Sequence, residues 1–170
     1  KLLWSAGADT VSHQSPIVAT LAGEEQLLAV GNKVIYGLRP TSGEKLWEYR
    51  FNGEDNTSTP VLVDGDKIFL SPHWRESLLL QVKKEGGSFT VQTVWRSRPP
   101  GDGFLILVDG HLVIQTKDGR IHAAKATPAG YEEMASLNVF DKPAWTPPSF
   151  ANGRIYVRSL HEIASVEVGK

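Results

Sequence analysis

Three observations predict an all-β fold made of repeated antiparallel sheets. Gly65, Gly110 and Gly153 each end the same sequence pattern, in which an extended apolar run leads into a tight turn. The intervals between these glycines are 45 and 43 residues, and a Ser-Pro pair at 15–16 leads the matching Thr-Pro pair by 44. No long segment has the 3.6-residue period of an amphipathic helix. A period of about 40–45 residues built from strands and turns is typical of a β-propeller, with one four-stranded blade per repeat.

The composition fits one domain over residues 1–170. The chain is 41% hydrophobic and 22% charged, with a net charge of −1, so no strong field favours nucleic acid or an anionic membrane. It has no cysteine, which excludes disulfides and thiolate zinc sites. No apolar stretch approaches the roughly 18–20 residues of a membrane-spanning helix.

Blade 1, about residues 15–50, has the clearest pattern. Alternating or apolar runs predict strands at 16–21, 26–30, 33–38 and 45–49. The turn before the last strand contains Pro40, which fixes φ, and Gly43, which supplies a positive φ.

Blades 2 and 3 follow the same pattern over about 58–96 and 103–140. The predicted strands of blade 2 are 59–63, 67–71, 77–83 and 89–95. Those of blade 3 are 104–108, 111–115, 120–125 and 134–140, with residues 130–137 as the one short stretch that could form a helical turn.

Blade 4, about 147–168, has three strands in sequence, at 149–151, 154–158 and 162–166. We expect its outer strand at the other terminus, in residues 2–5, because Leu2-Leu3-Trp4 resembles Lys45-Leu46-Trp47. Such a strand exchange protects the edges of the sheet. Either one chain closes a four-blade ring or two chains form an eight-blade ring, and we favour the homodimer.

The stretch from Gly37 to Trp47, Gly-Leu-Arg-Pro-Thr-Ser-Gly-Glu-Lys-Leu-Trp, resembles the repeat of the PQQ-like (quinoprotein-like) β-propellers, as found in secreted bacterial proteins. Arg39 stands where that family usually has Asp. The resemblance implies that tryptophans dock between neighbouring blades, and the matching positions are Trp4, Trp47, Trp95 and, as a replacement, Phe140.

The resemblance also implies a periplasmic or extracellular location. Quinone-binding members of the family use a vicinal disulfide and a calcium ion. This chain has no cysteine and no acidic cluster with metal-ligand spacing, so we expect no PQQ, no metal and no other cofactor.

The candidate ligand-binding residues follow from topology. In a blade, the loop between the second and third strands and the connection to the next blade emerge at one face, which also receives His13 and His161. There we expect a ligand-binding set, of which Trp74 and Trp145 lie outside the repeat pattern: His73, Trp74, Arg75, Arg98 and Trp145. Aromatic and arginine side chains on loops suit a protein or carbohydrate ligand, or alternatively cover the core or an oligomer interface.

No residue pattern indicates catalysis. The five histidines form no HxxxH or HExxH motif, and no nucleophile elbow is present. We therefore expect a non-catalytic binding or scaffold propeller. The alternatives are an enzyme that acts on polysaccharide or alcohol through the same loops, and a trimmed or engineered propeller piece without native activity.

Overall fold

A computed structural model describes residues 1–10, 13–51, 58–72 and 76–168. Across these ranges the chain forms fifteen strands and no helix. The strands assemble into four consecutive antiparallel sheets, which we number as blades 1–4. The prediction of an all-β, four-blade propeller is confirmed.

The strands of each blade follow one another in space as they do in sequence. Blade 1 contains β1 (Ile17–Leu21), β2 (Glu24–Val30), β3 (Val34–Leu38) and β4 (Lys45–Arg50). Blade 2 contains β5 (Val61–Val63), β6 (Lys67–Leu70), β7 (Ser77–Glu85) and β8 (Ser88–Ser97). Blade 3 contains β9 (Gly103–Val108), β10 (His111–Thr116), β11 (Arg120–Thr127) and β12 (Gly130–Asn138). Blade 4 contains β13 (Ser149–Ala151), β14 (Arg154–Arg158) and β15 (Ile163–Glu167).

The turn chemistry explains most of these boundaries. Asp109 and Asn152 adopt positive φ, each followed by a glycine that does the same, as two-residue hairpin turns require. Asp64 and Gly65 also adopt positive φ, in a loop of three residues between Val63 and Lys67. The possible helical turn at 130–137 was wrong: β12 begins at Gly130 and pairs with β11 along its whole length. A tight turn after Thr127 starts this strand earlier than the apolar pattern alone indicated.

Three buried clusters hold successive blades together. The first joins blades 1 and 2 around Leu28, Trp47 and Leu80, and the second joins blades 2 and 3 around Phe69 and Leu112. The third joins blades 3 and 4, with Ile121, Phe140 and Ile155 among its members. Among the described residues, no such cluster joins blade 4 to blade 1.

The structure corrects the prediction that residues 2–5 form the outer strand of blade 4 in the same chain. In the part of the chain that the structure describes, this sheet has three strands, and residues 2–5 form none. Instead, Trp4 lies against blade 1, where its Nε1–H donates to the carbonyl of Pro40 at 2.9 Å. The resemblance of residues 2–4 to residues 45–47 identified a segment of outer-strand type but not the sheet against which it lies.

Gly43 shows why the turn of blade 1 needs glycine. Its φ is +72°, and an added Cβ would lie 2.5 Å from Cε3 of Trp4. The glycine therefore provides the turn conformation and also makes room for the indole ring. Within the described residues, no helix is long and apolar enough to cross a membrane.

Candidate functional site

The loop face is the end of the propeller that carries the connections between blades and the loops between the second and third strands. Because successive strands run antiparallel, these two kinds of segment emerge together at one end of every sheet. Hydrogen bonds join them. The hydroxyl of Ser71, after β6, donates to the carbonyl of Gly101 at 2.8 Å, and the amide of Asn32 donates to the carbonyl of Thr10 at 2.8 Å.

The connection between blades 3 and 4, residues 139–148, is fixed to both of its neighbours. The amide of Ala144 donates to the carbonyl of Lys117 at 3.1 Å, in the loop between β10 and β11. The carbonyl of Pro143 accepts from the amide of Leu160 at 3.2 Å, in the loop between β14 and β15. Ala144 itself is fully buried. The next residue therefore stands on an anchored backbone.

That next residue is Trp145, whose side chain is 53% exposed. The ammonium group of Lys117 lies 4.9 Å from the centroid of its ring, a cation–π contact. The same ammonium forms an ion pair with Asp102 at 3.0 Å, and the Lys117 amide donates to the Asp102 carbonyl at 3.3 Å. The exposed indole is thus held in place by Lys117, which is itself fixed by Asp102 in the connection between blades 2 and 3.

Leu160 extends this surface onto blade 4 and is 58% exposed. Its loop is ordered by the hydroxyl of Ser159, which accepts from the amides of His161 at 3.1 Å and Glu162 at 3.0 Å. Trp145, Lys117 and Leu160 therefore come from three segments that backbone hydrogen bonds tie together. We call these three residues the Trp145 patch.

Asp118 lies beside the patch, in the loop that carries Lys117. Its carboxylate accepts from the hydroxyl of Thr116 at 2.6 Å and from the amide of Arg120 at 3.3 Å. The Thr116 hydrogen bond, more than any other contact, lowers the pKa of Asp118. The carboxylate therefore stabilises the turn, and these two hydrogen bonds hold it there.

The predicted ligand-binding residues are not brought together as one set. His73, Trp74 and Arg75 lie outside the described residues. Arg98 is exposed in the segment after β8. Over the described part of the chain, no hydrogen bond, ion pair or ring contact joins Arg98, Trp145 and His161 to one another.

Three of the four predicted docking residues, Trp47, Trp95 and Phe140, lie between neighbouring blades, whereas Trp4 contacts blade 1 alone among the described blades. Trp47 is buried in the cluster between blades 1 and 2, and its Nε1–H donates to Oε1 of the fully buried Gln26 at 2.6 Å. Trp95 of blade 2 donates to the carbonyl of Thr127 in blade 3 at 2.7 Å. Phe140 is buried in the cluster between blades 3 and 4.

Sequence reasoning missed Lys117, Asp102 and Leu160. Lys117 and Asp102 occupy ordinary polar turns, and nothing in their spacing from Trp145 indicates contact. Only the register of β9 and β10, with Gly103 opposite Thr116, brings the two ends together. Topology could have placed Leu160 on the same face, because it lies between two predicted strands.

One open cavity of about 510 Å³ lies between the inner strands β9 and β13. Its lining is largely apolar, and its one titratable side chain is Asp109, which belongs to a hairpin turn. In the described ranges, no group of three or more histidine, aspartate or glutamate residues could hold a metal ion.

Solved structures with similar folds share little sequence identity with this chain. The chain is similar to the Cps50 (Swd1) β-propeller domain of Myceliophteria thermophila, with 11% identity and a TM-score of 0.67 over 89% of this chain and 52% of that one. It is similar to BBS1N, solved in complex with ARL6DN, with 13% identity and a TM-score of 0.60 over 89% and 50%. Glutaminyl cyclase of Myxococcus xanthus matches with 18% identity and a TM-score of 0.50 over 88% and 64%.

The chain therefore spans between half and two thirds of the length of these structures. Their likeness shows the fold alone. No curated protein matches the chain.

A family model gives the closer assignment. The PQQ_2 model, described as "Outer membrane protein assembly factor BamB", matches residues 1–127 of the 170. This match agrees with the PQQ-like motif at Gly37–Trp47 and with the indole of Trp4 packed on Gly43. The chain belongs to the family of PQQ-like repeat propellers that this model describes.

Proposed function

We propose that this chain is a non-catalytic binding or scaffold propeller that holds a protein partner through its loop face. The observation that carries the proposal is the Trp145 patch, an exposed indole on a loop anchored to both neighbouring blades. Exposed, preorganised tryptophans are enriched among residues that dominate protein interfaces, because the ring buries a large area and loses little entropy.

The neighbours of Trp145 favour protein over carbohydrate. Leu160 adds an exposed aliphatic side chain, and Lys117 adds a cation held by Asp102. An apolar centre with charged groups at its rim is the arrangement of a protein interface. The description of the family, an outer membrane protein assembly factor, supports a role in contacts with other proteins and a periplasmic location at the outer membrane.

Selection of short peptides tests this function. Peptides are enriched from a random display library on the wild-type protein, and their dissociation constants are measured by fluorescence polarisation for wild type and for Trp145→Ala. We expect a loss of about tenfold or more in the variant, the size of effect typical of a hot-spot residue. Met134→Ala, a similarly exposed hydrophobic residue on β12, is the matched control and should bind like wild type. Failure to enrich any peptide, or equal binding by Trp145→Ala, would contradict the proposal.

An enzymatic function is the second candidate. Its support is the likeness to glutaminyl cyclase, which at 18% identity concerns the fold. The cavity between β9 and β13 offers one turn aspartate rather than an acid–base pair. Turnover of a small substrate that disappears in a single carboxylate or histidine variant would replace the binding proposal.

We also propose that two copies pair through the outward faces of blades 1 and 4, the faces that turn away from blades 2 and 3. On blade 4 this face carries Arg154, Tyr156 and Ile163, the last 82% exposed. On blade 1 it carries Val18 and Glu25. Arg154 and Glu25 each follow the turn between the first and second strands, so they lie at the same end of their blades. Head-to-tail pairing around a two-fold axis would bring these opposite charges together and form an eight-blade ring.

Light scattering at micromolar concentration tests the pairing. We expect twice the chain mass of 18.7 kDa. Arg154→Glu should weaken the dimer, and Glu25→Arg introduced into the same chain should restore it, since the charges are then exchanged. Lys125→Glu, an exposed charge on β11, is the control. A clean monomer, or an unaffected Arg154→Glu dimer, would refute this surface.

A further inference from the structure

The outer strands of neighbouring blades lie against each other along the propeller. β4 contacts β8, and β8 contacts β12. Beyond β12, an open groove of about 210 Å³ separates it from β15. The groove is largely apolar, and its lining includes Ile121, Ala135, Leu137, Ile155, Val166 and Val168. It occupies the position where an outer strand of blade 4 would continue the series.

The edge of blade 4 beside this groove is open. Within the described residues, β15 has one hydrogen-bonded neighbour, β14. An unpaired edge next to an apolar groove suits an added strand, because the backbone provides hydrogen bonds and the groove receives alternate side chains.

The contact of Trp95 shows what an outer-strand tryptophan does in this fold. Trp95 lies on β8, the outer strand of blade 2. Its Nε1–H donates to the carbonyl of Thr127, the residue before the turn between β11 and β12 of blade 3. An outer-strand indole thus reaches the turn between the third and fourth strands of the following blade.

Trp4 makes the corresponding contact with blade 1. It donates to Pro40 in the turn between β3 and β4, and its ring packs on Gly43. The segment before it therefore lies where the outer strand of a blade preceding blade 1 would run. Its two leucines are uncovered, with Leu2 82% and Leu3 76% exposed.

We propose that residues 2–5 of one copy form the outer strand of blade 4 in a second copy, pairing with β15 and placing Leu2 in the groove. The inference rests on the proposed pairing of two copies, which brings blade 1 of one chain against blade 4 of the other. Leu2 corresponds to Lys45 of β4, which lies opposite Leu38, and the matching position on β15 is Val166, which lines the groove.

The register of blade 1 predicts the partners. There Trp47 lies opposite Gly37, and Glu48 lies opposite Tyr36. If β15 takes the part of β3, with Ile163 in the position of Ile35, Trp4 lies opposite Ser165 and Ser5 lies opposite Ala164. Ser5 is exposed, Ala164 is partly buried and both are small, so cysteine replaces each with little loss of packing.

Disulfide cross-linking tests this register in a chain that has no native cysteine. Tagged Ser5→Cys protein and untagged Ala164→Cys protein are mixed and oxidised mildly, and the tag separates the mixed dimer from self-linked chains. We expect a mixed dimer at twice 18.7 kDa on a non-reducing gel. Ser5→Cys mixed with Ser88→Cys, an exposed serine at the start of β8, is the control and should link several-fold less.

The outcomes separate this inference from the proposals on which it depends. A doubled mass in light scattering without the 5–164 link would overturn the strand exchange and leave the pairing in place. A monomer would overturn both. A double variant, Ser5→Cys with Ala164→Cys in one chain, that links only within itself would show closure within one chain and also overturn the exchange. Peptide binding at the Trp145 patch is independent of all three results.

Discussion

Blades 2 and 4 have the same strand order but bury their residues differently. In blade 2, Ile68, Phe69 and Leu70 are consecutive and fully buried, and the first four residues of β7, Ser77 to Leu80, are buried as well. In blade 4, burial along β14 alternates: Ile155 and Val157 are buried, and the residues between and beside them are exposed. Blade 2 has a neighbour on each face, whereas blade 4 contacts blade 3 on one face.

This difference is already present in the amino-acid pattern. A strand covered on both faces reads as a continuous apolar run, whereas a strand covered on one face alternates apolar and polar residues. β6 reads Lys-Ile-Phe-Leu and β14 reads Arg-Ile-Tyr-Val-Arg. The comparison teaches that the sequence of a blade records how many of its faces are covered within the same chain.

The largest effect is expected where tryptophans pack on the two faces of blade 2. Trp47 belongs to the cluster on one face, and Trp95 packs against the cluster on the other, with its ring centroid 6.0 Å from that of Phe69. We expect Trp47→Ala and Trp95→Ala each to lower the free energy of unfolding by about 3–5 kcal/mol, the range for large core aromatics. Urea denaturation measures both.

The matched control lies on the outward face of blade 4. Tyr156→Ala removes an exposed aromatic ring and, compared in the Arg154→Glu background at a dilution where light scattering shows a monomer, should change the free energy of unfolding by about 0.5 kcal/mol or less. A loss below about 1 kcal/mol at both tryptophans would show that they do not dock between blades. A loss at Tyr156 equal to theirs would remove the contrast between blades 2 and 4.

Much of the fold was predictable because it depends on local signals. Paired turn residues such as Asp64-Gly65 mark the hairpins, and apolar runs mark the strands between them. The partner of residues 2–5 was not predictable in the same way. Their resemblance to β4 indicates an outer strand, but only the contact of Trp4 with Pro40 shows which blade holds it.

The site was less predictable than the fold. Topology placed Trp145 on the loop face, but its contact with Lys117 depends on two loops that meet through tertiary packing. The same holds for Gln26, a fully buried amide in β2. The hydrogen bond that it accepts from Trp47 explains why an amide is buried there, and that bond depends on the tertiary structure.

An intermediate effect is expected from that buried hydrogen bond between blades 1 and 2. Trp47→Phe keeps an aromatic ring but leaves Oε1 of Gln26 without its indole donor, in a side chain that is fully buried. An unsatisfied buried acceptor costs about 1–3 kcal/mol, and replacing both partners by apolar groups recovers much of that. We therefore expect Trp47→Phe to lower the free energy of unfolding by about this amount, and Gln26→Leu in the same chain to restore part of it. No recovery in the double variant would mean that lost ring packing, rather than the orphaned amide, causes the change.

The smallest effect is expected from the ion pair that links blades 1 and 2 at the surface. Lys84 of β7 binds Glu24 of β2, and Arg39 lies 3.6 Å from the same carboxylate. The hydrogen bond from Lys84 lowers the pKa of Glu24 below its ordinary value of 4.5. Because the folded-state pKa is lowered, the stabilisation is complete well above pH 4.5 and disappears as the pH falls through the folded-state pKa. Thermal unfolding of wild type and Glu24→Gln should therefore show a small gap in Tm at neutral pH that closes in acid and also shrinks in high salt. Glu85→Gln, an exposed neighbour on β7, should show no such gap, and a Glu24 gap that widens in acid would contradict the assigned direction of the pKa.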